Sequence, residues 1–351
     1  MKAVFFTAHG DNSVLQYGEL PEPEPGPGEV RLELRATSLN RLDIFVRDGI
    51  PGVPLPMIPG GDGSGIVDRI GPGVSGITPG DRVLIQPGLW CGACEFCLAG
   101  EQSLCVTYRI LGEHVPGTFA EKVVVPARNV FAIPRGLSFA EAAAFPLAYQ
   151  TAWRMVVGRA AVRPGETVLI HGAGGGVAGA ALEVARLAGG RVIATTSGQE
   201  KLGRMRDAGA ELVIDYQAED VLAVVRRHTA RRGVDVIVDT VGEATWMTSL
   251  KAAARGGRIV TCGATSGPNP KEEIRLIFWK QISILGSTMS SDREFRTLLA
   301  AVAEGRLRPR VDRVFPLSEA PAAYAYLEEG RQHGKIILVP DGAASPWPDG
   351  D

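Results

Sequence analysis

The sequence predicts an α/β protein of two domains: a mostly β domain, and a doubly wound domain built on a parallel sheet. Three observations carry that expectation. The chain has 351 residues, more than one hydrophobic core ordinarily organises. Its first 130 or so residues read as short strands punctuated by Pro/Gly clusters. From about residue 138, strand-like and helix-like segments alternate.

In the first region, "EVRLELRATSLN", "GSGIVDRIG", "DRVLIQP" and "FAEKVVVP" have strand character. Between them stand "PEPEPGPG" and "PGVPLPMIPGG", which break regular structure. "SFAEAAAFPLAYQTAWRMVV" then reads as helix, with Ser138 as its cap. Apolar runs such as "TVLIHG", "RVIATT", "LVIDY", "VDVIVDTVG" and "RIVTCG" follow, each separated by a helical stretch. Continuous apolar strands are expected where both faces of a parallel sheet are covered. After residue 286 the chain offers one helix, "DREFRTLLAAVAEGRL", and one strand, "GKIILVP".

Composition narrows the class. Hydrophobic residues make up 45% and charged residues 22%, as in a soluble globular protein. A formal charge of −2 gives no reason to expect nucleic acid or an anionic membrane as partner. No segment has the uncharged length of a membrane span, and the N-terminal apolar run meets Asp11 and Asn12 too soon for a signal peptide. A cytoplasmic location is therefore expected, where clustered thiols bind metal more often than they form disulfides.

Four of the five cysteines lie in "CGACEFCLAGEQSLC". Cys91, Cys94, Cys97 and Cys105, spaced C-x2-C-x2-C-x7-C, can close a tetrahedron around one zinc ion. Such a closed set leaves no open position for chemistry, so the predicted zinc is structural.

The strand "TVLIH" runs into "GAGGGVAG" and a helix, the arrangement that receives a dinucleotide pyrophosphate. Gly174, Gly175, Gly176 and Val177 form the expected contact, with Gly175 where the cofactor comes closest. The next strand ends without a carboxylate, in Thr196, Ser197 and, a turn later, Lys201. A carboxylate there would repel a 2′-phosphate by about 4 kcal/mol at 4 Å and an effective dielectric of 20. Its absence, with Ser197 and Lys201 as phosphate donors, favours NADP(H) over NAD(H).

The cysteine spacing, the domain order and "PGGDGSGIVDRIGPGVSGITPGDRV" together resemble the medium-chain dehydrogenase/reductase superfamily. Within it the chain is similar to zinc-type alcohol dehydrogenase-like proteins, leaning toward their quinone-oxidoreductase relatives. The resemblance implies a GroES-like catalytic domain (residues 1–130 and 286–340, zinc lobe 91–105) around a Rossmann domain (131–285); it does not extend to the tail (341–351), which is expected to be disordered as a chain end. It further implies an active site in the cleft between the domains, and a homodimer or homotetramer joined through the Rossmann domain.

Carried over residue by residue, the three ligands of the family's catalytic zinc fall on Asn40, Gly61 and Leu147, none of which suits the metal. Leu42 stands where the family's proton relay begins, and Asp43 and Asp62 are expected to be structural. Without that Lewis acid a conjugated acceptor is the easier substrate, because the added hydride leaves charge delocalised. An NADP(H)-dependent quinone or enone reductase is expected; an NAD(P)-dependent zinc alcohol dehydrogenase and a non-catalytic NADPH-binding protein remain alternatives.

The implied substrate pocket comprises Asn40, Leu42, Phe45, Leu147 and Tyr149, with Asn40 bonding an oxygen and Tyr149 as candidate proton donor. His114 is a weaker candidate. His171 is expected near the cofactor. By family position Cys262, Gly263, Ala264, Gly286 and Ser287 flank the nicotinamide, Tyr216 the adenosine, and Lys335 the pyrophosphate.

Overall fold

A computed structural model describes residues 1–343 and 345–347. The chain divides into two compact units, Met1–Leu147 with Leu299–Asp351, and Ala148–Leu298. The first is the sheet-rich GroES-like domain and the second the Rossmann-like domain.

The first unit is organised by the long strand Glu29–Ser38, which alternates buried apolar and half-buried polar residues along much of its length. It pairs antiparallel with Asp62–Ile70, Lys122–Pro126 and Lys335–Val339. The sheet runs Val311–Pro316, Lys335–Val339, Glu29–Ser38, Asp62–Ile70, Arg82–Ile85, Val130–Ala132. Val30, Leu32, Leu34, Val67, Val83, Ile85, Val123 and Val125 fill one side. Gly49, at φ 108°, ends the helix Arg41–Asp48 in the left-handed conformation that a Cβ disfavours.

The second unit carries six strands ordered Leu212–Asp215, Arg191–Thr196, Thr167–Ile170, Val234–Val238, Ala253–Thr261, Ser283–Gly286, all parallel. Thr167–Ile170 is buried at every residue, which accounts for its unbroken apolar reading.

Three expectations are corrected. The unit boundaries lie at 147/148 and 298/299, whereas the sequence placed them at 130/131 and 285/286. The helix Phe139–Ala144 is the reason for the first shift: Ala140, Ala143 and Ala144 pack with Ala36 and Ile337 of the sheet, and their small side chains bring the helix close. The single helix expected from residue 138 breaks at Pro146 into Phe139–Ala144, Pro146–Trp153 and a π-helical turn Arg154–Arg159. The tail is ordered in part. Asp341 accepts hydrogen bonds from Tyr17 (2.6 Å) and the Ser318 hydroxyl (2.5 Å), and the Pro346 carbonyl accepts from the Ala140 N–H (3.2 Å). Ala344 and residues 348–351 lie outside the described residues.

Ser138 caps the helix it opens: its Oγ accepts from the Glu141 N–H (3.1 Å), while Glu141 accepts from the Ser138 N–H (2.9 Å). Ser138→Ala should therefore cost about 1 kcal/mol in urea unfolding. An unchanged midpoint would mean that packing of the three alanines alone holds this helix.

Candidate active site and metal lobe

In the Rossmann-like unit, the strand ends converge on the glycine loop. Gly175 is the cap of the helix Gly176–Leu187, whose first turn presents unpaired N–H groups. A Cβ on Gly174 would meet Lys201 Cδ at 2.9 Å and Thr196 Oγ1 at 3.1 Å, so these two side chains lie against the loop. Ser197 Oγ donates to Tyr216 Oη at 3.0 Å, and Tyr216 is half exposed (51%). The residues named for the adenosine side thus come together in two adjoining pairs around Thr196, whose carbonyl accepts from the Tyr216 N–H (3.2 Å).

At the other end of the same sheet edge, the Ser287 N–H donates to Thr261 O (2.9 Å), and Thr261 Oγ1 donates to Gly263 O (3.1 Å). Cys262, Gly263 and Ser287 are gathered there, and Ser287 Oγ is buried without a partner. Burial pushes the Cys262 thiol up to about 12, which suits an apolar filler and not a nucleophile. His171 is also buried, its Nε2 unpartnered; burial pushes its pKa down, partly opposed by Asp239. Sequence reasoning missed Asp239. This fully buried carboxylate accepts from the Val241 and Gly242 N–H groups and from the Thr245 and Ser249 hydroxyls, fixing the turn after Val234–Val238.

Tyr149 belongs to the helix Pro146–Trp153, and its hydroxyl donates to Glu183 at 3.0 Å. The expected proton donor is thereby turned onto a neighbouring helix. His114 accepts at Nδ1 from the Ile110 N–H (3.2 Å), a contact within its own loop.

In the GroES-like unit the expected ligands of a catalytic metal form something else. Asp62 is fully buried. Its Oδ1 accepts from the Leu147 N–H (2.7 Å), and its Oδ2 from Ser38 Oγ (2.9 Å), Asn40 Nδ2 (2.9 Å) and Lys335 Nζ (3.3 Å). Lys335 Nζ also donates to Asn40 Oδ1. Asp43 accepts from the backbone N–H of Asn40 (2.7 Å) and of Gly60 (3.1 Å). Burial pushes the Asp43 carboxyl up to about 7, the Asn40 N–H and Lys335 acting against it. Burial likewise pushes the Lys335 ammonium down, opposed by Asp62 and Asp43.

Two assignments change accordingly. Asn40 was expected to bond a substrate or nicotinamide oxygen, but its amide is engaged by Asp62, Ser38 O and Lys335. Lys335 was expected at the pyrophosphate, but its ammonium is held by Asn40 and Asp62. Both shifts have one cause: a buried carboxylate attracts every donor within reach. Leu42 and Phe45 are half-buried on Arg41–Asp48, and Leu147 is 7% exposed. A cavity of about 950 Å³ in this unit runs along Met57, Ile58, Leu89, Trp90, Leu111 and Arg109, and none of Asn40, Leu42, Phe45 or Leu147 lines it.

The donor set does not fit a catalytic zinc. Asn40, Gly61 and Leu147 supply no thiolate or imidazole, and a side chain on Gly61 would meet Leu147 Cδ1 at 3.1 Å and Leu111 O at 3.4 Å. Among the described residues, one group of His, Cys, Asp or Glu is disposed to hold a metal ion: Cys91, Cys94, Cys97 and Cys105, with all Sγ atoms within 4.8 Å of one another. Cys91 Sγ lies 3.9 Å from Cys97 Sγ and 3.6 Å from Cys105 Sγ. Tetrahedral Zn–S bonds of about 2.3 Å require about 3.8 Å, so these thiols fit a zinc ion. The Ala93 and Cys94 N–H groups donate to Cys91 Sγ, and the Cys91 N–H to Cys105 Sγ, as suits thiolates.

A nucleotide-binding sheet, a GroES-like sheet and a four-thiol lobe define the class as dehydrogenase-like. Residues 26–135 match the model of the alcohol dehydrogenase GroES-like domain, and residues 208–338 that of the zinc-binding dehydrogenase. Acryloyl-coenzyme A reductase of Metallosphaera sedula is 32% identical over 97% of this chain and 100% of its own. Among solved structures, an NAD-dependent alcohol dehydrogenase is 49% identical, with a TM-score of 0.93 over 97% of this chain and 99% of the other. The crotonyl-CoA carboxylase/reductase AntE in complex with NADP is 26% identical, with a TM-score of 0.90 over 97% and 94%. The chain belongs to the zinc-type alcohol dehydrogenase-like proteins of the medium-chain dehydrogenase/reductase superfamily, and is an NAD(P)-dependent oxidoreductase.

Two outcomes are expected. Cys97→Ser should lose zinc and several degrees of Tm while turnover per folded molecule persists; a folded, zinc-free and inactive protein would contradict a structural zinc. Asp43 titrates near 7 in the fold and near 4 in an unfolded chain, so its contribution to stability is complete below pH 4 and lost as pH rises through 7. Asp43→Asn should flatten that slope in urea unfolding between pH 4 and 8.

Proposed function

We propose that this chain transfers hydride from NADP(H), in preference to NAD(H), to a conjugated carbonyl such as a quinone or enone, without a catalytic zinc. The observation that carries this reading is the donor set: Asn40, Gly61 and Leu147 stand where three metal ligands would be needed, and the Lys335 ammonium lies on Asn40. A simple aldehyde depends on a Lewis acid to hold its alkoxide; an enone delocalises the same charge over oxygen and carbon. The acryloyl group in the name of the 32%-identical relative is itself an alkene conjugated to a carbonyl.

The bound dinucleotide would supply the hydride; the chain supplies binding, orientation and exclusion of water. Gly174, Gly175, Gly176 and Val177 would receive the pyrophosphate on the helix N-terminus. Thr196, Ser197 and Lys201 meet a 2′-phosphate without an opposing carboxylate at that strand end, and Tyr216 borders the adenosine through its bond to Ser197. Ser287 Oγ, buried and unpaired, is the free donor for the nicotinamide side. Zinc on Cys91, Cys94, Cys97 and Cys105 holds its lobe in shape.

A second reading, NAD-linked alcohol oxidation, is favoured by the 49% identity to an NAD-dependent alcohol dehydrogenase. One experiment separates the two: a panel of quinones, enones, aldehydes and alcohols with each cofactor, run with zinc quantification. The first reading expects one zinc per subunit, conjugated-carbonyl reduction and a lower KM for NADPH. Two zincs with chelator-sensitive alcohol oxidation would replace it, and no turnover with any substrate would leave a cofactor-binding protein.

No helix of the described residues is long and apolar enough to cross a membrane. The cysteines are all free, which suits the reducing cytoplasm. The edge strand Ser283–Gly286 and the helix Ile274–Lys280 expose Ile274, Phe278, Trp279 and Ile284, an apolar edge fitted to pair with a second copy in a homodimer, or within a homotetramer. Replacing Phe278 and Trp279 together by Glu should shift the mass measured by light scattering to the monomer. An unchanged mass would place the assembly surface elsewhere.

A further inference from the structure

The strand Lys122–Pro126 of the GroES-like unit pairs along one side only, with Glu29–Ser38. The Leu34 N–H donates to Glu121 O (2.8 Å) and the Ala127 N–H to Gly28 O (2.9 Å), so the odd-numbered residues turn their main chain toward that partner. By the alternation of an antiparallel ladder, Lys122, Val124 and Pro126 turn theirs away. The strand Lys2–Phe5 runs beside residues 119–121, where the Val4 N–H donates to Phe119 O (2.8 Å) and the Glu121 N–H to Lys2 O (3.0 Å). Among the described residues, no strand continues past that point, and the main-chain groups of Lys122 and Val124 on this side meet no backbone partner. Such an edge is a ready template for another chain.

The edge opens on the cavity of about 950 Å³, which Lys122, Val124 and Pro126 help to line. Every lining residue lies within Met1–Leu147, so the cavity is complete in one unit. Much of the lining is apolar, with Phe5, Ile58, Leu89, Trp90 and Leu111 among it. Of its charged side chains, Lys122 is paired with Glu22 (2.8 Å), and Glu29 accepts from the Gly26 N–H (3.0 Å). Arg128 donates to Trp90 O and lies along the zinc lobe, where a Cβ on Gly92 would meet its Nη1 at 3.3 Å. Arg109 is exposed and has no carboxylate partner among the described residues.

We propose that this edge and cavity dock an extended peptide segment of a partner protein, which adds as a strand to Lys122–Pro126 and sets an acidic side chain on Arg109. A free edge presents donors and acceptors at the spacing of another main chain, and alternate side chains of the added strand enter the cavity. The Lys122 and Val124 N–H groups and the carbonyls of Lys122, Val124 and Pro126 form that row. Pro126 has no N–H, so donation from the edge stops at Val124. The apolar lining takes Val- or Leu-like side chains, and Arg109 selects a carboxylate over an ammonium. Neither the cofactor nor the hydride step is involved.

The test uses the full-length, zinc-loaded protein and isothermal titration calorimetry with three capped heptapeptides. The first is acetyl-Thr-Val-Glu-Val-Thr-Val-Glu-amide, the second carries Lys for Glu, and the third is the first methylated at every main-chain nitrogen. Val124→Pro removes one edge donor and leaves the ladder to Glu29–Ser38 intact, because proline is tolerated where the N–H faces away from the sheet. Arg109→Glu reverses the cation. Zinc content and Tm establish that each variant is folded; if Val124→Pro is not, the methylated peptide tests the same bonds on the wild type. The expected result is saturable binding of the Glu peptide to the wild type and none of the methylated one. Val124→Pro should raise Kd about fivefold, the size of effect expected from one hydrogen bond. Arg109→Glu should favour the Lys peptide. No saturation by the Glu peptide up to about 1 mM would overturn the proposal, as would equal binding of the methylated peptide. Equal binding of the Lys peptide to the wild type would overturn the role of Arg109. Saturable binding of dodecanoate without peptide binding would make the cavity a small-molecule site instead. A doubled mass in light scattering that Val124→Pro abolishes would replace the partner with a second copy of this chain.

Discussion

The Asp62 carboxylate is the constraint on which the GroES-like unit turns. A carboxylate removed from water costs several kcal/mol unless donors and an opposite charge replace the solvent. Here Ser38, Asn40, Leu147 and Lys335 do so, drawn from the end of one strand, the cap of a helix, the close of the first chain segment and a strand 273 residues further on. The first and last segments of the chain must therefore meet in one sheet. The same requirement uses up Asn40 and Lys335, which explains why neither is free for the role its position suggests.

The two metal-type positions in this unit contrast in how far their parts are separated. Four thiols within fifteen residues need only a local fold to close, and their spacing states the chemistry by itself. Asn40, Gly61 and Leu147 are brought together by the sheet, and what they lack as ligands is filled by contacts that no spacing reveals. The lobe presents a donor set fitted to a metal, while in the interior Asn40 and Leu147 bond to the pair Asp62 and Lys335.

Much of the fold was legible because its signals are local. Thr167–Ile170 reads as a covered strand from four apolar-compatible residues, and the glycine loop, Ser138 with Glu141, and the cysteine run each declare themselves within a few positions. The pair Asp62 and Lys335 left no trace at that range. The proximity of Gly174, Thr196, Lys201, Ser197 and Tyr216 was legible because successive strands of a parallel sheet end at one edge. The helix Ala320–Glu328 escaped notice although Ala320, Ala323, Tyr324 and Leu327 keep helical spacing. Small alanines and an early proline disguised a buried face as a loop. The boundary at 147/148 was missed for a related reason: alanines that carry little hydrophobic signal pack more closely than large side chains.

The division of the first unit between the two ends of the chain has a consequence in time. Residues 148–298 form one contiguous unit, available to fold as soon as they leave the ribosome. The GroES-like unit is synthesised first for the most part, yet it waits for Lys335 to neutralise Asp62 and for Lys335–Val339 to pair with Glu29–Ser38. The unit to which residues 1–147 belong is thus completed only after the contiguous unit has been made, and during that interval the four thiols of its lobe are already present.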